Sequence, residues 1–314
     1  MSSRRPHSAP KVVPAPMFVS MILIAMAFQP SGLARRSQDT VRTIVSDDFT
    51  KNRPKGRGQR NSARKSGKVS EGSSSSGRSY RLASSPTIRR ASKTNLSFPA
   101  HLGLTIWKLR RVDDSRALLQ VRGKGADPWG WIAERVEADT VFQAGDHLRF
   151  SIESPRAGYL YVIDRDWFTD GSSGATNLIF PMRGDDNRLQ AGRLIDIPAQ
   201  DQAPFKATPE PNQAGEILTI IVTSSPLTLP ISDKALPISN TQLVEWEEMW
   251  GAMAERFEMR GGTGQVRTRQ EQQAAARKGT RQLTRDDPAP QTIYFLAPKN
   301  SGAFLFNLKL FYTR

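Results

Sequence analysis

From Leu102 to Tyr312 apolar residues recur at every second position in short segments, and that period accommodates little except β-strands. In His147-Leu-Arg-Phe-Ser-Ile152, residues Leu148, Phe150 and Ile152 fall on one face. Leu102-Gly-Leu-Thr-Ile106-Trp-Lys-Leu109 has the same alternation, and Gly158–Ile163 is rich in the β-branched and aromatic residues that suit a pleated surface. Further strands are expected at Asn177–Phe180, Arg193–Ile197, Glu216–Thr223, Thr292–Leu296 and Ala303–Tyr312. The last two flank Lys299-Asn-Ser-Gly302, which predicts a C-terminal hairpin over about 291–313. Strands at this density, separated by Gly, Pro and Asp turns, define a mainly β chain with an immunoglobulin-like β-sandwich over 99–314. No βαβ alternation is present, which argues against a dinucleotide-binding fold.

One segment, about 241–280, departs from period two. Leu243, Trp246, Trp250, Met253 and Phe257 recur at steps of three and four, as in a helix capped by Ser239, Asn240 or Thr241. Gly261-Gly-Thr-Gly264 ends that pattern. Thr268-Arg-Gln-Glu271 then has the form of a capping box and opens a second helix to about Arg277. The insertion is thus read as two short helices, with the Trp and Met stripe covering the sandwich.

The first third of the chain is a different material. Residues 1–100 carry 19 Lys and Arg against 4 Asp and Glu, whereas 101–314 carry 26 of each, so the whole formal charge of +15 sits ahead of the strands. Arg4, Arg5 and Lys11 precede the apolar run Met17–Phe28, and Gly32-Leu-Ala34 supplies small residues at −3 and −1 of a cut after Ala34. That order predicts a secretory signal over 1–34. A 12-residue run is too short to span a bilayer, which takes roughly 20 residues, so no membrane segment is expected after cleavage. The product is therefore expected outside the cytoplasm, in the periplasm or beyond. Residues 35–98 are rich in Ser, Arg, Lys and Gly, with sparse apolar residues, and are read as a disordered basic linker. Their charge suits an anionic surface or envelope polymer. Nucleic acid is disfavoured, because Phe49 and Tyr80 are the only aromatics between residues 35 and 97 to stack on bases.

Catalytic patterns are scarce. The chain has no cysteine and three histidines, of which His7 belongs to the signal, and no Gly-x-Ser-x-Gly elbow accompanies His101 or His147. A serine hydrolase or thiolate metal site is therefore excluded as a reading. Asp164, Asp166 and Asp170 precede a Gly turn, and Asp185 and Asp186 sit in a second polar turn; together they are the calcium candidates, if both loops lie at one end of the sandwich. Calcium is the one cofactor considered. A carboxylate-based hydrolase is the alternative function, and it requires a deep pocket with at least two perturbed Asp or Glu.

At Asp146–Leu227 a series of elements appears in order: GDHLRFSIESPRAGYLYVIDRD, the DG at Asp170-Gly171, LIFP at Leu178–Pro181, GDDNRLQAGRLIDIP at Gly184–Pro198 and GEILTIIVTSSPL at Gly215–Leu227. The series resembles the bacterial family called domain of unknown function 4384. LTIWKLR upstream and VEWEEMW with DDPAPQTIY downstream resemble its extended form, over about 102–312. The resemblance implies a small β-rich module, found in exported proteins or beside kinase-like and peptidase-like domains, with no catalytic residues to carry over. The resulting expectation is an exported accessory or binding module. Its partner would be an envelope polymer, an anionic surface or another protein, with binding to nucleic acid through the basic tail as a further alternative.

Overall fold

A computed structural model describes residues 42–56, 100–111, 130–278, 281–299 and 302–313. The signal-like residues 1–34 and the basic residues 57–98 lie outside the described residues. Fourteen strands form two sheets of seven among the described residues. The first sheet contains β1 (Ala100–Arg111), β2 (Trp131–Val136), β4 (His147–Glu153), β8 (Leu194–Ile197), β9 (Phe205–Lys206), β12 (Met253–Glu258) and β13 (Thr292–Ala297). The second contains β3 (Val141–Phe142), β5 (Gly158–Phe168), β6 (Ser173–Phe180), β7 (Arg188–Leu189), β10 (Gln213–Thr223), β11 (Leu236–Pro237) and β14 (Ala303–Tyr312).

The long strand β1 organises the first sheet. It pairs along one side with β4, from Gly103↔Glu153 to Leu109↔His147, and its other side is shared by β13 and β2. In the second sheet β10 lies between β5 and β14, all antiparallel, and β14 pairs in parallel with the short β3. The alternation in the sequence explains the core. Leu102, Leu104 and Ile106 of β1 and Leu148, Phe150 and Ile152 of β4 meet Leu160 and Val162 of β5, Leu218 and Ile220 of β10, and Phe304 and Phe306 of β14 in one buried cluster. Burying each such side chain stabilises the fold by about 1.5–3 kcal/mol. The expected mainly β, two-sheet architecture is what the chain adopts.

Three local expectations are corrected. The C-terminal pair over 291–313 is not a hairpin: β13 joins β1 and β12 in the first sheet, while β14 joins β10 in the second, so the connection crosses between layers. Period two shows that each segment is a strand but cannot say which sheet receives it.

The helical stripe also ends early. Helix α2 (Asn240–Trp250), capped by Ser239, stops at Gly251, and Met253 and Phe257 belong to the edge strand β12. The first three stripe residues do cover the sandwich. Leu243, Trp246 and Trp250 pack on Tyr161, Ile163, Ile221 and Leu305 of the second sheet's outer face. Helix α3 (Arg269–Ala274) carries the expected Thr268–Glu271 capping box.

Thirdly, part of the segment assigned to a disordered linker is folded. Residues 42–50 form helix α1, and Val45 and Phe49 pack on Ile293 at the outer face of the first sheet. A Cβ on Gly103 would lie 2.7 Å from the Phe49 ring, so glycine there admits the helix. Just beyond, the fully buried Arg53 pairs with Glu153 of β4 and donates to the carbonyls of Asp287 and Pro288 at 2.9 and 3.1 Å. Val45 and Phe49, four apart, are a helix-spaced apolar pair that the polar composition of this stretch conceals.

The two outer faces are covered by different chemistry. Over the first sheet, Trp107 lies between the guanidinium groups of Arg135 and Arg267, at 5.3 and 5.2 Å from its ring. Arg135 pairs with Glu271 and Arg267 with Asp196, and Trp107 Nε1 donates to Ser151, which donates to Asp196. Charges buried this deeply persist because each has an opposite partner.

Candidate functional site

Opposite ends of the sandwich present two concavities, and strand β5 runs from one to the other. Period two decides which of its residues face inward. Leu160 and Val162 point into the core, and Asp164 and Asp166 continue that same face toward the far end. On β10, Glu216 continues the inward face of Ile220 and Leu218, and its register partner on β5 is Asp166.

The result is a cavity of about 70 Å3 lined by Asp164, Glu216 and Tyr312 among apolar side chains such as Phe150 and Phe205, with Lys206 at its side. Tyr312 donates a hydrogen bond to Glu216. Oδ1 of Asp164 is buried without a hydrogen-bond partner among the described residues. Burial, reinforced by the nearby Glu216 and Asp166 charges, pushes the Asp164 carboxyl up to about 8. Burial also raises Glu216, against the pull of the Tyr312 hydrogen bond. Asp166 is raised by burial and by Glu210, while Gln213 donates to it at 2.7 Å. The Asp164 carboxyl thus keeps at neutral pH a proton that a free carboxylate would release.

The other end is open and larger. A groove of about 960 Å3 is lined by Arg156 of the β4–β5 turn, Tyr159, Arg188 of β7, Arg193 of the β7–β8 turn, Ser224 after β10, and Asn52 from the N-terminal segment. Asp186 braces two of these arginines. It accepts from Arg188 Nε at 3.0 Å and from Arg193 Nη1 at 2.9 Å. Burial opposes its ionisation, but the hydrogen bonds and charges of Arg188 and Arg193 outweigh that and hold its carboxyl below the usual value.

The five calcium candidates do not converge. Asp164 and Asp166 belong to the acidic cavity. Asp170 lies in the β5–β6 turn, where the backbone amide and hydroxyl of Ser172 donate to it and hold its pKa down. Asp185 and Asp186 lie at the groove end, Asp185 accepting from the Met182 amide at 2.9 Å and pairing with Arg277. Because β5 and β6 are antiparallel neighbours, the turn that joins them and the turn that follows β6 fall at opposite ends. Among the described residues no three His, Asp or Glu side chains gather as a metal site. The histidines are also apart: His147 pairs with Leu109, eight residues along β1 from His101, a span of about 27 Å. Neither cavity was legible as such. The inward spacing of Asp164, Asp166 and Glu216 was a usable signal, whereas the groove's arginines come from separated turns.

The two-sheet β-sandwich thus presents an arginine-lined groove at one end and a small cavity lined by Asp164 and Glu216 at the other. Residues 141–226 match the family model described as Domain of unknown function (DUF4384), so this segment is a DUF4384 domain. Neither a curated protein nor a solved structure matches the chain. The matched segment runs from β3 through β10 and contributes strands to both sheets, but β1, β2, β11, β12, β13 and β14 complete them from outside it. Asn52 aside, the groove residues all lie within the match.

Proposed function

We propose that this chain is an exported binding module whose ligand seat is the open groove, with the basic residues 57–93 attaching it to the cell envelope. The observation that carries this reading is the disparity in volume. The groove's roughly 960 Å3 lies in the range that accommodates organic ligands, whereas the acidic cavity's 70 Å3 suits a few waters. The carboxylate pair meets one requirement of a hydrolase, perturbed acids, but leaves no room for a sugar ring or peptide unit. The apolar run with its basic flank supports export, and the ten Lys and Arg against the single Glu71 over 57–93 support adhesion to an anionic surface. No helix among the described residues is long and apolar enough to cross a membrane.

Hydrogen exchange on the full chain, with and without an envelope fraction, tests the seat. Protection is expected at 155–159, 188–193 and 224; protection confined to other surfaces would reject the groove. The tether needs a different variant. Deleting 35–98 would also remove Phe49 and Arg53 from the fold, so the ten basic residues of 57–93 should be changed to Gln instead. Loss of envelope fractionation with an unchanged melting temperature is the expected result, and retained fractionation would refute the tether.

A further inference from the structure

The groove's chemistry narrows its ligand, an assignment that rests on the groove being the binding seat. We infer that it is an oxyanion site for a phosphate group, free or carried by a headgroup or polymer. Three guanidinium groups, from Arg156, Arg188 and Arg193, line one concave surface against the single carboxylate of Asp186. They arrive from two segments, the β4–β5 turn and the 186–193 turn, and Arg188 and Arg193 share the Asp186 carboxylate, which leaves one of their two charges for something else to compensate.

Asp186 compensates one charge and orients two groups. It takes Nε and Nη2 of Arg188 at 3.0 and 3.3 Å, which leaves Nη1 of Arg188 without a hydrogen bond among the described residues. The Arg188 side chain is 69% exposed. Arg193 is the fixed member: its Nη1 also donates to the Arg188 carbonyl at 2.7 Å, and its Nη2 to the Asp186 carbonyl at 3.0 Å. The pair is therefore held side by side on the groove wall. Planar guanidinium forks match the oxygens of a phosphate, and two or three forks supply more donors than a two-oxygen carboxylate can take. Asn52 and Ser224 add neutral polar groups at the rim.

Pyrophosphate and inorganic phosphate are the soluble probes, titrated calorimetrically at low ionic strength into the full chain carrying Gln at the ten basic positions of 57–93. That background prevents the tail from answering for the groove. Pyrophosphate should bind with a submillimolar Kd. The double variant Arg156→Gln/Arg188→Gln should weaken it at least about tenfold. Asp186→Asn keeps an oxygen acceptor for the Arg188 amide but frees the guanidinium groups, and should tighten binding several-fold. Two surface salt bridges with no ligand role would give no such gain. Vesicles of phosphatidylglycerol, against phosphatidylcholine, then separate the sources. Pyrophosphate-displaceable binding to phosphatidylglycerol identifies a headgroup, and binding of pyrophosphate alone identifies a soluble or polymer phosphate. No heat at millimolar pyrophosphate, or equal binding by all variants of unchanged melting temperature, overturns the assignment. If the envelope fraction still protects the groove from exchange in that case, the seat stands and only its anion selectivity falls.

Discussion

At Gly158 strand β5 enters the sandwich beside Arg156 and Arg188; by Asp164, six residues on, it lines a cavity walled by carboxyl groups. Both ends gather like charges, yet they treat them in opposite ways. In the groove, solvent and Asp186 keep the arginines ionised, since guanidinium cannot release its proton in a protein. In the small cavity, burial raises both carboxyls, and Asp164 keeps its proton at neutral pH. Volume and the identity of the ionisable group together decide whether a charge cluster remains available to a ligand.

The comparison is most exposed at the groove end, where the N-terminal segment supplies both Asn52 and the buried Arg53. Arg53→Ala would leave Glu153 buried and unpaired, along with the carbonyls of Asp287 and Pro288. A loss of about 3–5 kcal/mol in chemical denaturation is expected. Burial already pushes Glu153 above its ordinary value against the pull of Arg53. Without Arg53 the folded variant keeps that carboxyl protonated while the unfolded chain ionises it. The deficit should therefore grow as pH rises above the ordinary carboxyl range, and shrink near pH 4. A loss under about 1 kcal/mol would mean that residues 42–56 do not help to hold the groove end together.

What the sequence disclosed follows from the range of its signals. Alternation at Leu148-Arg-Phe-Ser-Ile152 is local, and it marked the strand and its core-facing residues, although Arg149 and Ser151 on the other face are buried as well. Sheet membership is not local: nothing in Thr292–Ala297 says that it pairs with β1 rather than with β14 a few residues later. The same limit hid the groove, because Arg156 meets the Arg188–Arg193 turn only once β7 has paired with β5. Asp164 and Asp166 are visible in the sequence as calcium candidates, although their spacing from Val162 places them on the inward face. Val45 and Phe49 were hidden by the basic serine-rich composition around them, and the apolar contacts they make with Ile293 became evident only in three dimensions.

At the acidic end the largest effect should come from Asp164→Asn, which keeps the shape and removes the ionisation. A carboxyl raised from 3.8 to about 8 on folding favours the folded state fully below pH 4, and that contribution is lost as pH rises toward 8. The variant should match the parent near pH 4 and exceed its stability by roughly 1–3 kcal/mol at pH 8. Urea denaturation at pH 4, 6 and 8 measures the divergence. Parallel profiles for parent and variant would mean that the cavity does not suppress ionisation, and the contrast between the two ends would fail.

The smallest effect, and the most discriminating, concerns Tyr312. Its hydroxyl donates to Glu216, which favours charge on that carboxyl and leaves the neighbouring proton with Asp164. Two interacting carboxyls titrate as a pair, so removing the donor should redistribute the proton as well as weaken the fold. Tyr312→Phe is expected to cost about 1 kcal/mol, the net worth of one hydrogen bond. Carboxyl carbon resonances of the two side chains, followed against pH, should show Glu216 moving up and Asp164 moving down relative to the parent. If both stay in place, Tyr312 merely fills space at the cavity mouth, and burial alone sets which carboxyl keeps the proton.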